Sequence, residues 1–245
     1  MNAIDAPVLE ISAGSLASAL AAQEGGADRV ELCDNLAEGG TTPSYGAIAV
    51  ARDRLRIPLY VLIRPRGGDF LYDAAERAAM VADIEACVRL GCDGVVIGAL
   101  DADGEVDAAV CREQIAAAGS LGITFHRAFD AARDPGRALE AAVALGCERI
   151  LTSGGAADAF AGADRIAALV AQAAGRIALM AGAGVTPQNI AELARRAGVR
   201  ELHASAKAPR RSAMRYRNDA LAGLSPDWSQ SDAQRVRDLV AALRG

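Results

Sequence analysis

Gly26-Ala-Asp-Arg-Val-Glu-Leu-Cys33, Gly91-Cys-Asp-Gly-Val-Val-Ile-Gly98, Gly146-Cys-Glu-Arg-Ile-Leu-Thr-Ser153 and Gly198-Val-Arg-Glu-Leu-His-Ala-Ser205 are versions of one phrase. Each opens on a glycine suited to end a helix in the left-handed conformation. A small or apolar residue and a polar pair follow, and then a strand. The glycines are 65, 55 and 52 residues apart, close to two strand–helix units at roughly 30 residues each. Four copies of a (βα)₂ block make eight strands and eight helices. That alternation requires a parallel sheet. With no compositional break, it predicts an α/β fold, a single (β/α)₈ TIM-type barrel over residues 1–245. Loop 206–230 and a C-terminal helix are expected to close it. The competing architecture is an open doubly wound sheet. Against it, the turn after the first strand reads Ser12-Ala-Gly-Ser-Leu-Ala17, without the Gly-x-Gly-x-x-Gly of that fold.

The chain length of 245 residues suits one barrel. A hydrophobic fraction of 52% with only 4% aromatics suits aliphatic helices around a sheet, not an aromatic-rich sandwich. No uncharged stretch reaches the ~18 apolar residues of a membrane span. The start, Met1-Asn-Ala-Ile-Asp5, lacks the basic region and apolar run of a secretory signal. A cytoplasmic protein is the expectation. The net charge of −5 gives no footprint for nucleic acid. The basic segment from Lys207 to Arg217 reads as a solvated loop or as a lid over an anionic ligand. Cys33, Cys87, Cys92, Cys111 and Cys147 include no Cys-x-x-Cys pair, which argues against disulfides and against zinc.

The strands are expected at 8–12, 29–33, 59–64, 94–98, 123–127, 149–153, 177–181 and 201–205. Helices are expected near 15–25, 73–90, 107–118 and 160–173, from Pro43 after a Thr42 cap, and from Asp134 and Thr186. A last helix is expected at about 232–243, with Ser231 and Gln234 at capping-box spacing. Strand side chains alternate between faces. Four and six residues after each repeat glycine stand Val30, Val95, Ile150, Leu202, Leu32, Ile97, Thr152 and Ala204, which should meet the helices. Five residues after it stand Glu31, Val96, Leu151 and His203, and seven after it Cys33, Gly98, Ser153 and Ser205. These should point into the barrel, the last four leaving room at the strand C-termini. On the odd strands the candidate inward pairs are Glu10 and Ser12, Leu62 and Arg64, Thr124 and His126, and Met180 and Gly182.

The interior would then hold Glu10, Glu31, Arg64, His126 and His203. A barrel needing only stability would place Val, Ile or Leu there, because buried charge is costly. A self-satisfied plug of ion pairs is the structural alternative. As a site, the set suits proton transfer at a polarised carbonyl. Arg64 would hold an anionic group or stabilise an enolate, His126 or Glu10 would move the proton, and Glu31 and His203 would tune each other. Gly182 and Gly184 form a glycine-rich turn before Thr186-Pro187, where many barrels bind phosphate. Ser153 and Gly154 add donors after strand six. Arg66 and Asp69, in the loop after strand three, and Ser205 complete the candidate ligand-binding set.

Val30-Glu-Leu-Cys33 with Gly39-Gly40-Thr-Thr-Pro-Ser44, Ile63-Arg-Pro-Arg-Gly-Gly-Asp-Phe70 and Thr124-Phe-His-Arg-Ala-Phe-Asp130 resemble the CutC family, named for copper homeostasis. So do Leu151-Thr-Ser-Gly154, Gly182-Ala-Gly-Val185 and Glu201-Leu-His-Ala-Ser205. The resemblance runs from about residue 8 to about 207. It implies a cytoplasmic TIM-type barrel, a homo-oligomer, a site at the strand C-termini and a role in copper homeostasis. Copper(I) is then the candidate cofactor. A copper ion or a small anionic ligand is the candidate partner, with no nucleic acid and no membrane. Copper(I) favours soft thiolate and thioether ligands, and only Cys33 lies at a strand end near the predicted pocket. Cys33 with His203 or His126 is therefore the candidate metal site. The competing reading is an enzyme performing acid–base chemistry on a small anionic or phosphorylated metabolite. A catalytically silent barrel that binds partners is a third.

Overall fold

A computed structural model describes residues 6–218, 220 and 223–245. Eight parallel strands close into a barrel in sequence order. They are β1 (Val8–Ala13), β2 (Arg29–Leu32), β3 (Leu59–Leu62), β4 (Gly94–Ile97), β5 (Gly122–Phe125), β6 (Arg149–Thr152), β7 (Ala178–Gly182) and β8 (Glu201–Ala204). β1 closes the ring, with Glu10 opposite Arg29 on one side and His203 on the other. The strands alternate with α1 (Leu16–Glu24), α2 (Tyr45–Arg54), α3 (Ala74–Leu90) and α4 (Ala108–Ala118). A one-turn α5 (Ala128–Ala131), then α6 (Pro135–Ala144), α7 (Ala163–Ala173) and α8 (Ile190–Ala197) follow. An antiparallel hairpin, β9 (Lys207–Arg210) with β10 (Trp228–Ser231), precedes α9 (Ala233–Arg244). The architecture is the expected (β/α)₈ barrel, and no helix among the described residues is long and apolar enough to cross a membrane.

The repeat phrase works as its sequence suggests. Its glycines, Gly26, Gly91, Gly146 and Gly198, all have φ between 66° and 88°, a region that other residues enter at a cost. Helix starts are set by local side chains. Asp73 and Glu76 form a reciprocal capping box on α3, and Asp134 caps α6 ahead of Pro135.

Three expected boundaries move, for identifiable reasons. Thr42 does not cap α2, because its hydroxyl accepts the Arg64 N–H at 2.8 Å and anchors the end of β3. Ser44 caps the helix instead. Ser231 does not cap α9. It lies in β10, its hydroxyl donates to the Ser205 carbonyl at 2.8 Å, and Asp232 takes the cap. α8 starts at Ile190 and not at Thr186, because Asn189 turns its side-chain oxygen back onto the Thr186 N–H at 2.8 Å.

The strand faces divide cleanly. Val30, Leu32, Val95, Ile97, Ile150 and Leu202 are fully buried among the helices, in the outer apolar layer. Inside the barrel, Cys33, Tyr60, Leu62 and Val96 form a separate apolar cluster. Below that cluster lies a further inward layer, made of charged residues and a glycine. Arg29, Gly94, Arg149 and Glu201 sit three residues after the repeat glycines and share the inward parity of the fifth and seventh positions. Arg29 and Arg149 both donate to Glu201, at 2.6 and 3.0 Å. Their guanidinium carbons lie 5.2 and 5.0 Å from the Tyr60 ring centroid, within cation–π range. The Tyr60 ring has room only because its neighbours lack side chains. A Cβ on Gly94 would come within 2.1 Å of the ring, and one on Gly122 within 2.1 Å of its hydroxyl oxygen.

This packing has a measurable signature. Gly94→Ala should cost about 1–3 kcal/mol by overpacking, and far less in a Tyr60→Ala background, where the clash is gone. Urea unfolding of the four-member cycle tests this. Equal costs in both backgrounds would show that Tyr60 does not fill the space above Gly94.

Candidate functional site

A cavity of about 1050 Å³ opens at the C-terminal ends of the strands. Ser12, Glu31, Leu62, Leu151 and His203 contribute to its floor, and Arg64, Phe70 and His126 form one side. Ala183, Gly184, Ser205 and Lys207 lie on the opposite rim, and α9 adds Arg235 and Asp238. The small inward residues do not all create open space. The His126 ring occupies the place of a Gly98 side chain, where a Cβ would lie 2.6 Å from it.

The barrel floor carries a chain of ionisable groups. Glu10 has no solvent exposure. One carboxylate oxygen accepts from Arg29, and the other accepts from His203 Nδ1 at 2.7 Å. Burial would raise the Glu10 pKa, but the Arg29 charge and the His203 interactions outweigh it and bring it down to about 2. For His203, burial alone would favour the neutral ring. The charge of Glu31 and the bond to Glu10 reverse that and move its pKa upward. Glu31, also buried, is pushed upward by desolvation, which exceeds the opposing effect of His203. The Ser12 hydroxyl donates to it at 3.2 Å.

Arg64 and His126 stand apart from this chain. Arg64 donates to the main-chain carbonyls of Glu38, Gly40 and Gly68 at 2.7–2.8 Å. It is 5% exposed, and no carboxylate pairs with it among the described residues. His126 is 4% exposed, and its Nδ1 accepts the Ala128 N–H at 3.1 Å. Burial, then the nearby Arg64 charge, push its pKa down to about 3. The ring is therefore neutral, with its proton on Nε2.

Of the residues singled out from the sequence, Glu31, Arg64, His126, His203, Gly184 and Ser205 line the cavity. Glu10 is not in the lining and stands beside His203, its partner on the neighbouring strand. Arg66 and Asp69 are not in the wall. They pair with each other at 3.0 Å, and Arg66 also reaches Glu76. The turn after β6 is occupied by the protein itself. Asp130 accepts from the N–H groups of Ser153 and Gly155 at 3.0–3.1 Å, and Gly154 N–H donates to Thr152. A carboxylate thus sits where the sequence led us to expect a ligand phosphate at Ser153 and Gly154. In the β7 turn, Gly182 lies under His203 and Gly184 packs against Asp158. Cys33 is buried, its thiol pushed up to about 12 by desolvation and the Glu31 charge. Asp130 and Phe70 were missed as individual site residues, though both lie inside quoted motifs.

Metal-ligating capacity lies elsewhere than at Cys33. Among the described residues, one donor atom each from Glu10, Glu31 and His203 lie within 4.8 Å of one another. These are oxygen and imidazole donors, and Glu10 is already engaged by Arg29 and His203. The set does not fit copper(I), which takes soft thiolate ligands.

Fold and site together define a (β/α)₈ barrel with a cavity lined by ionisable side chains at its C-terminal face. The CutC family model matches residues 8–208, and the chain belongs to the CutC family. It is 62% identical over 242 residues to a CutC family protein of Chromobacterium violaceum, covering 96% of this chain and 98% of that one. A relative from Xylella fastidiosa is 61% identical over 239 residues, covering 96% and 88%. A crystal structure of a Streptococcus agalactiae protein bearing the name copper homeostasis protein CutC superposes with a TM-score of 0.78 at 37% identity, covering 81% and 98%.

The depressed Glu10 pKa makes a stability prediction with a defined sign. Its contribution is present in full above the unfolded value of 4.5 and is lost as pH falls through about 2. Glu10→Gln should cost about 3–5 kcal/mol near neutral pH by stranding Arg29 and His203. The gap from wild type should narrow in urea melts taken between pH 5 and pH 2.5. A gap independent of pH would mean that Glu10 is not the ionised centre of the chain.

Proposed function

We propose that this CutC-family protein serves in copper homeostasis, the role in the name of its S. agalactiae relative, through a cavity that binds a small anionic ligand and moves a proton on it. One observation carries the proposal. Glu31 is a buried carboxylate facing the cavity, held by a hydroxyl and beside His203, with no arginine or lysine bonded to it among the described residues. The equivalent place in the next repeat is Val96, which shows what a purely structural interior uses. Arg64 supplies a buried positive pole on the cavity wall, and Lys207 adds charge at the rim. His126, neutral and donating from Nε2, is not the proton carrier in this reading. Glu10 is committed to Arg29 and His203, so proton transfer falls to Glu31 with His203. A cytoplasmic location belongs to the proposal and suits five unpaired cysteines.

The test is calorimetric titration with short carboxylates and phosphate esters across pH. Glu31 and His203 both have raised values, so both lose a proton as pH rises and the cavity becomes more negative. Anion affinity should fall as pH rises through their titration, and by at least about tenfold in Arg64→Met. Glu31→Gln should keep binding and lose proton transfer. Absence of binding by every anion, or binding indifferent to pH, overturns the proposal.

Direct copper binding is the second reading, supported by the Glu10–Glu31–His203 grouping. With the Cys33 thiol protonated at neutral pH, anaerobic copper(I) titration of wild type and Cys33→Ser should give the same weak binding. Tight binding that depends on Cys33 would restore a thiolate copper site.

A further inference from the structure

Two hydrogen-bond donors in the cavity wall are buried without an acceptor: Nε of Arg64 and Nε2 of His126. Leaving such a group unpaired costs free energy, so each calls for an explanation. Among the described residues Arg64 neighbours one further orphan, the buried Tyr72 hydroxyl, whereas His126 has no such neighbour. The Arg64 fork is held by three carbonyls from two loops, at Glu38, Gly40 and Gly68. The His126 ring is fixed at its other edge by the Ala128 N–H and fits the space left by Gly98. Both side chains lie against one ring. The Phe70 centroid is 5.0 Å from the Arg64 guanidinium carbon and 5.1 Å from the His126 ring centroid. Phe70 is partly exposed and lines the same cavity.

Topology places this pair apart from the proton-handling groups. Arg64 follows β3 and His126 follows β5, whereas His203, Glu10 and Glu31 stand on the adjacent strands β8, β1 and β2. In a closed eight-stranded ring β5 stands across from β1. A molecule in the cavity therefore meets fixed donors on one side and a carboxylate–imidazole pair on the other.

From this arrangement we infer that the substrate is a small carbonyl compound with a hydrogen on the adjacent carbon, its carbonyl oxygen received by His126 Nε2–H and Arg64 Nε–H once Phe70 turns aside. The inference rests on the acid–base reading above and gives that site its substrate class. Glu31 takes the proton from the carbon. The C–H electron pair becomes the C=C bond, and the carbonyl π pair moves onto oxygen. The resulting enolate oxygen carries the negative charge between the two donors. Returning the proton to the same carbon inverts or exchanges it. No oxidant, reductant or second substrate is required. A neutral imidazole donor beside a guanidinium suits an oxygen that gains charge during reaction, since fixed donors of this kind act where charge develops.

The probe is glycolohydroxamate, a planar mimic of an enediolate, titrated calorimetrically into wild type, His126→Phe and His126→Gln. His126→Phe keeps a ring of similar shape without the donor, and His126→Gln restores an N–H. Binding should weaken about 100-fold in the first and recover to within about tenfold of wild type in the second. Wild type should also exchange the carbon-bound proton of glycolaldehyde or dihydroxyacetone with D₂O, and Glu31→Gln should not. Equal hydroxamate binding by all three proteins overturns the inference. If simple anions still bind with the expected pH dependence, the acid–base reading survives that result, whereas absence of any anion binding removes both. Should His126→Phe fail to fold, ¹⁵N NMR of wild type decides. The Nε2–H tautomer must be present, and its proton must shift downfield when hydroxamate binds. An unmoved signal overturns the inference.

Discussion

The Glu10 carboxylate joins the two halves of the barrel interior. One oxygen takes Arg29, which reaches on to Glu201 and so to Arg149, the ions that plug the lower end. The other takes His203, the first ring of the cavity floor. The same ion therefore anchors the plug and sets the state of the site. Burial alone would hold His203 neutral. The Glu31 charge first, and then the bond to Glu10, move it toward the protonated form, so that Glu31 faces a cation in place of bare hydrocarbon. Mutual satisfaction is what makes so many buried charges tolerable, and here it also leaves one carboxylate facing the cavity.

Layering explains how a fourfold repeat yields one site. At the lowest level the repeat contributes Arg29, Gly94, Arg149 and Glu201, two cations, an anion and a gap. The gap at Gly94 is filled from β3 by Tyr60, stacked against both arginines. At the next level two copies supply Val96 and Leu151, and two supply Glu31 and His203. β8, β1 and β2 are neighbours in the closed ring, so the polar departures gather in one arc. The apolar copies occupy β4 and β6, and the cavity opens above an asymmetric floor.

Much of this was legible because strand parity is strict. Once the repeat glycines were located, counting five and seven residues onward placed Glu31, His203 and Ser205 inside the barrel. The same count at three would have found the plug at Arg29, Arg149 and Glu201. What parity could not reveal was how side chains from other elements fill the spaces it predicts. Ser153 and Gly154 read as open donors because Asp130 lies 23 residues earlier in the chain than Ser153 and reaches their turn only in three dimensions. Thr42 read as a helix cap because its bond to the Arg64 amide depends on where β3 ends. Charge state was equally hidden. His126 and His203 are both histidines at strand ends, yet burial beside Arg64 and burial between two glutamates drive them in opposite directions.

The occupied turn after β6 shifts where a ligand's negative charge would be read. In many barrels the main-chain N–H groups near strands seven and eight receive phosphate. Here Asp130 consumes the donors of Ser153 and Gly155 and is itself paired with Arg127 at 2.8 Å, so that part of the rim presents little free positive charge. Arg64, across the cavity, is a buried cation held by three carbonyls and the Phe70 ring, with no carboxylate paired to it among the described residues. An anion entering the cavity meets the buried Arg64 on the His126 side and the more exposed Lys207 and Arg235 at the opposite rim. Copper(I) has no comparable attraction, because Cys33 keeps its proton beside the Glu31 charge and the remaining donors are hard or already paired. The electrostatics of the interior therefore favour a small oxyanion over a soft metal ion.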